Sequence, residues 1–128
     1  MEKANLQDLR SFITADGASI RELAGPAWTP ARRQSLAEAT VAPGEQTAEH
    51  FHPQTEELYY FVAGEGRMRL GEEEAAVARG DCVVIPPGTR HQLFNDGTPP
   101  LVLTTDFVGG ARCCAPAYSD DDTVMTGR

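Results

Sequence analysis

The chain has 128 residues, of which 41% are hydrophobic and 23% are charged, so it has the size and composition of one folded domain rather than of a disordered segment. Its 19 acidic and 11 basic residues give a net charge of -8, which disfavours binding to nucleic acids and to anionic membranes. No apolar run approaches a membrane-spanning helix, and the N-terminal stretch lacks the apolar core of a signal peptide. We therefore expect a cytoplasmic protein that binds neither nucleic acid nor membrane.

The N-terminal third of the chain contains few periodic segments. Residues 1–15 are predicted to form a loose tail that includes at most a short helical turn. A turn at Asp16-Gly17 then leads into a short strand over 19–23. Residues 34–41 include good helix formers, but the stop at Pro43-Gly44 and the strands that follow favour a strand there.

From residue 47 onwards the pattern indicates β-structure throughout. Short candidate strands alternate with breaks of Gly, Pro, Asn or Asp, which is typical of an all-β sandwich or a small barrel. The predicted strands cover residues 47–52, 57–63, 66–71, 74–78, 81–85, 90–95 and 100–108. We expect a single barrel domain over residues 16–118, followed by a C-terminal tail over 119–128.

The chain has only three histidines, and two of them form the sequence His50-Phe51-His52. In a strand, residues i and i+2 point to the same face, so both imidazoles face one point while Phe51 points away from it. Each histidine taken alone could be an ordinary core or surface residue. The spacing of the pair, however, is typical of two ligands on one metal ion.

A carboxylate and the third histidine complete a candidate metal site. Glu57 opens the next strand, whereas strand parity directs its competitor Glu56 to the other face. His91 follows the sharp turn at Pro86-Pro87-Gly88. Three imidazoles and one carboxylate suit a divalent transition metal, and an octahedral ion would keep two positions for water, substrate or dioxygen. Fe2+ is our favoured ion, with Mn2+, Ni2+, Zn2+, Co2+ and Cu2+ as alternatives.

The spacing of these residues resembles the two conserved motifs of small single-domain cupins. The first motif is matched by Gly44, five residues, His50-x-His52, four residues, Glu57, six residues and Gly64. The second is matched by Gly80, five residues, Pro86-x-Gly88, two residues, His91, three residues and Asn95. The resemblance implies a double-stranded β-helix, or jelly-roll barrel, that holds a metal through His50, His52, Glu57 and His91. It also implies a homodimer.

The interior of such a barrel is expected to be mostly apolar and aromatic. Parity with Glu57 places Tyr59 and Phe61 inward, and alternation elsewhere places Met68, Leu70 and Leu93 there too. A cavity of this kind suits a small organic substrate that chelates the metal through oxygen atoms. The candidate polar lining residues are Gln34, Tyr59, Gln92, Thr105 and Asp106, while Arg21 and Arg90 could meet a carboxylate substrate at the mouth. Gln34 and Tyr59 are the candidate catalytic residues, because either could orient a substrate or carry a proton.

These residues favour a metal-dependent enzyme acting on a small molecule, with dioxygenase or oxidase chemistry as the first hypothesis. The alternatives are a non-redox isomerase, cyclase or lyase, and a non-catalytic protein that binds a sugar or another metabolite. The cysteines Cys82, Cys113 and Cys114 are expected to be buried reduced thiols, with a redox or metal-binding role for the adjacent pair Cys113-Cys114 as the alternative. The segment 104–112 departs from the cupin ending and is interpreted as an altered rim or lid.

Overall fold

The computed structural model of this chain describes residues 1–26, 28–109 and 123–126. The described residues form one turn of 3-10 helix and eleven strands. The turn covers Leu6–Asp8, and the strands are β1 (Phe12–Ile13), β2 (Ser19–Ala24), β3 (Gln34–Val41), β4 (His50–Phe51), β5 (Thr55–Ala63), β6 (Glu65–Leu70), β7 (Glu73–Ala78), β8 (Cys82–Ile85), β9 (His91–Phe94), β10 (Leu101–Gly109) and β11 (Val124–Met125). No helix within these ranges has the length and apolar character that crossing a membrane requires.

The strands form two antiparallel sheets that enclose one core. The first sheet has six strands in the order β1-β2-β3-β10-β5-β8, and the second has five in the order β11-β4-β9-β6-β7. Neighbours such as β3 and β10 are far apart in sequence, so the chain crosses repeatedly between the sheets, as in a jelly roll. The predicted all-β jelly-roll barrel is therefore confirmed.

Side chains along β5 alternate between the interior and the surface. Glu57, Tyr59 and Phe61 are buried, whereas Leu58, Tyr60 and Val62 point outward, as strand parity predicts. The apolar side chains that share the interior come from both sheets, namely Ile20, Ala37, Ala39, Val41, Tyr59, Phe61, Met68, Val77, Ile85, Leu93, Leu101 and Leu103. Burying one large side chain of this kind stabilises the fold by roughly 1.5–3 kcal/mol.

Two turn residues fix how the strands connect. Gly64 has a φ of 81°, and a Cβ at this position would lie 2.3 Å from the carbonyl oxygen of Pro100, so no other residue fits there without a backbone shift. Asn95 donates through its side chain to the carbonyls of Val41 (3.0 Å) and Pro99 (2.9 Å). Asn95 thus ties the turn after β9 to the end of β3, the turn role that its motif position predicts.

The observed strands differ from the predicted ones mainly where the pairing is short. The strand predicted over 47–52 is reduced to β4, because Thr47 forms two hydrogen bonds to Leu93 of β9 (2.9 Å each) outside a regular ladder. The two-residue strands β1 and β11 lie in stretches that the sequence assigns to the tails. β1 pairs with β2, and β11 pairs with β4. A two-residue strand is too short to carry a periodic signal.

The cysteine prediction is corrected at one position. Cys82 is exposed rather than buried, because it pairs with Tyr60 and shares the outer face of the six-stranded sheet. The inner face of β8 is filled by Ile85 instead. Cys113 and Cys114 lie outside the described residues, as do residues 110–112 of the segment interpreted as a rim or lid. Residues 104–109 of that segment form the end of β10.

Candidate metal centre

The three histidines meet inside the barrel on one side of the five-stranded sheet. His50 on β4 lies directly opposite His91 on β9, and His52 follows β4. All three side chains are buried, and one ligand nitrogen from each lies within 4.8 Å of the others. Two atoms on opposite sides of one ion bound at 2.1 Å would be separated by about 4.2 Å. The histidines are therefore close enough for one ion after small side-chain movements.

The second ring nitrogen of each histidine contacts an oxygen atom that orients the ring. His50 Nδ1 lies 2.8 Å from the carbonyl oxygen of Ala48, and His91 Nδ1 lies 3.0 Å from that of Thr89. A carbonyl only accepts hydrogen bonds, so in a neutral ring Nδ1 carries the proton and Nε2 keeps its lone pair. His50 and His91 are thus held in the tautomer that binds a metal through Nε2.

His52 is oriented from a different part of the chain. Its Nδ1 atom lies 3.1 Å from the hydroxyl oxygen of Thr123, which immediately precedes β11. A hydroxyl can accept the Nδ1 proton and leave Nε2 for a metal. Thr126 fixes the other end of this short segment, because its hydroxyl donates to the Glu49 carboxylate at 2.6 Å. The segment from Thr123 to Thr126 therefore helps to position a ligand that directly follows β4.

Glu57 completes the group from the opposite sheet. Its Oε2 atom accepts a hydrogen bond from the Thr105 hydroxyl at 2.6 Å, and its Oε1 atom lies 3.4 Å from Nε2 of both His52 and His91. Within the described part of the chain, Glu57 Oε1 and His91 Nε2 are buried atoms without a hydrogen-bond partner. A separation of about 3.4 Å is also expected between two ligand atoms held at 2.1 Å by a tetrahedral ion. The arrangement fits a cation between these atoms.

The electrostatic environment favours the protonation states that a metal requires. Burial alone would raise the pKa of Glu57, but the nearby His52 and His91 side chains outweigh it and lower the pKa to about 2. The pKa of His50 is also lowered, first because burial disfavours the imidazolium and then because His91 is close, although Asp16 opposes this. An ionised carboxylate beside a neutral imidazole is the form that binds a divalent cation.

One acidic residue near this site was not singled out as a ligand from the sequence. The Oδ2 atom of Asp16 lies 3.6 Å from His50 Nε2, on the turn between β1 and β2. The dipeptide Asp16-Gly17 carries a turn signal, and Gly17 has a φ of 94° as such a turn requires. No local spacing links Asp16 to His50, so the sequence alone offered no signal for this contact.

The two candidate catalytic residues lie in different environments. Tyr59 is buried in the barrel, and its ring meets that of His91 edge to face, with the ring centroids 5.9 Å apart. Gln34 lies at the exposed end of β3, and its amide faces Asp106, which also points outward. The interior position expected for Gln34 and Asp106 is therefore corrected, because the inner faces of β3 and β10 present Ser35 and Thr105 instead.

Other predicted lining residues are engaged in contacts of their own. Gln92 is buried but donates through Nε2 to the carbonyl of Thr47 at 2.8 Å, which ties β9 to the preceding loop. Arg21 forms an ion pair with Glu38, and Arg90 forms one with Glu72 at 2.8 Å. The remaining residues predicted to face inward do so. Tyr59, Phe61, Met68 and Leu93 pack in the buried core, and Leu70 is partly buried against them.

Comparisons with known proteins agree with this architecture. The cupin domain family matches residues 37–107, which include the three histidines and Glu57. An uncharacterised protein of Methanocaldococcus jannaschii is 40% identical over 122 residues, covering 94% of this chain and 91% of that protein. The tetracenomycin polyketide synthase protein TcmJ of Streptomyces glaucescens is 32% identical over 84 residues, covering 66% of this chain and 56% of TcmJ.

The solved structures include a close match in fold. A cupin 2 conserved barrel domain protein from Salinispora arenicola superposes with a TM-score of 0.70 at 24% sequence identity, covering 87% of this chain and 91% of that protein. This likeness concerns the arrangement of strands. Together with the family match across the histidine-bearing strands, it establishes that the chain belongs to the cupin domain family.

Proposed function

We propose that this protein is a metal-dependent enzyme whose divalent ion is held by His50, His52, Glu57 and His91. The observation that carries the proposal is the pair of buried atoms Glu57 Oε1 and His91 Nε2, which lie 3.4 Å apart without a hydrogen bond in the described part of the chain. An unsatisfied buried polar group typically costs about 1–3 kcal/mol. A bound cation would remove this cost from both atoms at once.

The proposed substrate is a small organic molecule that chelates the metal through two oxygen atoms. When bound, a divalent ion such as Fe2+ supplies Lewis acidity and, with dioxygen, redox chemistry. The residues of the chain contribute the surroundings of that ion. Glu57 balances positive charge, the apolar core around Phe61 excludes water, and Phe107 packs edge-on against His52 with the ring centroids 4.9 Å apart. Tyr59, beside His91, is the residue we propose to orient the substrate or to hold a proton.

Oxidation by dioxygen is the reaction that we propose first, and a non-redox cyclisation or isomerisation is the second candidate. The similarity to TcmJ supports the non-redox candidate, because that protein is named as part of a polyketide synthase. This chain spans 56% of the length of TcmJ. Polyketide chains carry 1,3-dicarbonyl groups that chelate divalent metals. The same ligand set can therefore serve either chemistry.

One experiment separates these candidates. The protein is prepared metal-free, reconstituted anaerobically with Fe2+ or Zn2+, and mixed with 1,3-diketone and catechol probes. Oxygen uptake with Fe2+ only, coupled to product formation, is expected for the oxidative reaction. Product formation without oxygen, or equally with Zn2+, would support the non-redox reaction instead. A probe that binds tightly and is recovered unchanged with either metal would contradict an enzymatic role and favour a metabolite-binding protein.

We also propose that the protein forms a homodimer through the outer face of its six-stranded sheet. Apolar side chains are exposed together on that face, including Leu36, Leu58, Tyr60, Val62, Val84 and Val108. Leu36, Leu58 and Val84 lie at matching positions across this sheet, with Asp106 between Leu36 and Leu58. Exposed apolar side chains that cluster on one face of a protein often mark an interaction surface. Equilibrium ultracentrifugation should detect a dimer that Leu58→Glu dissociates, and a wild-type monomer at micromolar concentration would contradict this proposal.

A further inference from the structure

The turn between β1 and β2 is held against the loop that leads to His50. The backbone carbonyl of Asp16 accepts a hydrogen bond from the amide of Ala48 at 2.7 Å. The Oδ1 atom of Asp16 accepts from the Thr14 hydroxyl and from the amide of Ala18, the latter at 3.2 Å. Ala48 in turn holds the ring of His50 through its carbonyl oxygen. The turn and the first histidine are thus fixed relative to each other.

These contacts use only one of the two oxygen atoms of the Asp16 carboxylate. The other, Oδ2, lies 3.6 Å from His50 Nε2, the nitrogen that the Ala48 contact leaves for a metal. Two ligand atoms bound at 2.1 Å and separated by an angle of about 120° would lie about 3.6 Å apart. The distance between Asp16 Oδ2 and His50 Nε2 is therefore compatible with both atoms binding one ion.

The charge of the site makes a second carboxylate favourable. Three neutral imidazoles and the Glu57 carboxylate leave one positive charge on a bound divalent ion, and that charge would be buried. The side chain of Asp16 is only 13% exposed, so water screens its charge poorly. Adding the Asp16 carboxylate would bring the centre to neutrality.

We propose that Asp16 is a fifth ligand of the metal, bound through Oδ2. This inference rests on the proposed metal centre and makes it more specific. With Asp16 as a ligand, a bound ion would have one fewer position for an exogenous molecule than the four-ligand site would leave. A substrate that offers two oxygen atoms would then compete with Asp16 for a position on the ion.

The test compares three proteins that all retain the described turn contacts. Asp16→Asn keeps an Oδ1 atom that can accept from Thr14 and Ala18 but removes the negative charge and the second oxygen. Asp81→Asn is the matched control, because Asp81 also accepts a backbone hydrogen bond in a turn, from Ala78 at 2.8 Å, and is exposed. Thermal unfolding of the metal-free proteins checks that each variant folds.

The readouts are the Co2+ affinity from calorimetry and the visible absorption of the Co2+ protein, which strengthens as the coordination number falls. Asp16→Asn is expected to bind Co2+ about 10-fold or more weakly and to show stronger absorption, whereas Asp81→Asn should match wild type. Wild-type affinity and absorption in Asp16→Asn would overturn the role of Asp16 while leaving the metal centre intact. Failure of the wild-type protein itself to bind Co2+ would overturn both this inference and the proposed function.

Discussion

Two buried carboxylates, Glu57 on β5 and Glu22 on β2, have opposite electrostatic environments. Burial raises the pKa of both, but the imidazoles of His52 and His91 bring that of Glu57 down to about 2. Burial dominates at Glu22 and raises its pKa to about 7, although the neighbouring Trp28 opposes the shift. The Glu22 carboxylate lies over Gly25, in space that a side chain at that position would fill, with its oxygen 2.3 Å from the position of a Gly25 Cβ.

The difference shows that burial alone favours the neutral form of a carboxylate, whereas neighbouring donors and imidazoles can stabilise its ionised form. Glu57 has a hydrogen-bond donor on one oxygen and two ring nitrogens near the other, so its ionised form is the stable one. Glu22 lacks imidazole neighbours of this kind, and its neutral form is favoured. Substitution of each carboxylate by the neutral amide should therefore have different consequences.

The largest effect is expected for Glu57→Gln. The amide keeps the shape of the side chain but removes the negative charge that faces the two histidines. We expect the affinity for Co2+ to fall by about 100-fold or more. Isothermal titration measures this affinity, and Glu56→Gln is the control, because Glu56 is the exposed neighbour on the same strand. Equal losses in the two variants would contradict a specific role for Glu57.

Metal binding should also stabilise the fold. The ligands come from β4, β5 and β9, so an ion would link the two sheets, and unfolding would have to break this link. At a free metal concentration 100-fold above the dissociation constant, the free energy of unfolding should rise by about 2.7 kcal/mol. Urea unfolding with and without Co2+ measures the change. An unchanged transition at saturating metal would contradict binding to the native state.

A smaller effect is expected at Thr123, which contacts a ligand rather than the ion. Thr123→Val removes the oxygen that accepts from His52 Nδ1 and preserves the shape of the side chain. We expect the affinity for Co2+ to fall by about 10-fold, as for other groups that orient a metal-bound histidine. Thr123→Ser restores a hydroxyl and should restore most of the affinity. If Thr123→Ser is as weak as Thr123→Val, the hydroxyl has no role in orienting His52.

The smallest effect is expected for Glu22→Gln, and it should depend on pH. The pKa of Glu22 is about 7 in the folded protein and 4.5 as its ordinary value, so folding favours the protonated acid between these values. This contribution is fully present below pH 4.5 and is lost as the pH rises through 7. The metal-free variant should therefore match wild type near pH 4.5 and be more stable by about 1 kcal/mol at pH 8, allowing for partial solvent screening. Denaturant unfolding at both pH values measures the difference, and a variant less stable than wild type at pH 8 would contradict it.

The sequence predicted the parts of the site that depend on local spacing. The face shared by His50 and His52 follows from strand parity, as does the inward direction of Glu57. Asp16 and Thr123 reach these residues through the tertiary fold, 34 residues before His50 and 71 residues after His52. Periodic patterns in a sequence do not predict contacts between residues that are so far apart along the chain.

The prediction that Gln34 points into the barrel is wrong for a local physical reason. Residues 34–41 place small side chains such as Ser35 and Ala37 inward, and the larger Leu36 outward. The inner face therefore lacks the large apolar residues that usually identify it in a sequence. The interior position predicted for Cys82 is wrong for a related reason, because β8 carries apolar residues on both faces and its sequence therefore does not show which face is buried.

The proposed metal centre is tested most directly by the metal content of untagged protein purified without oxygen, measured by elemental analysis beside the His91→Ala variant. We predict near-stoichiometric divalent transition metal in the wild-type protein. The variant should lose that metal while its circular dichroism still shows a folded β-protein. His91 is the variant of choice because its Nε2 atom is buried beside Glu57 Oε1. Wild-type protein that binds no metal even after reconstitution, or a folded His91→Ala variant with full occupancy, would contradict the assignment of the histidine cluster as a metal centre.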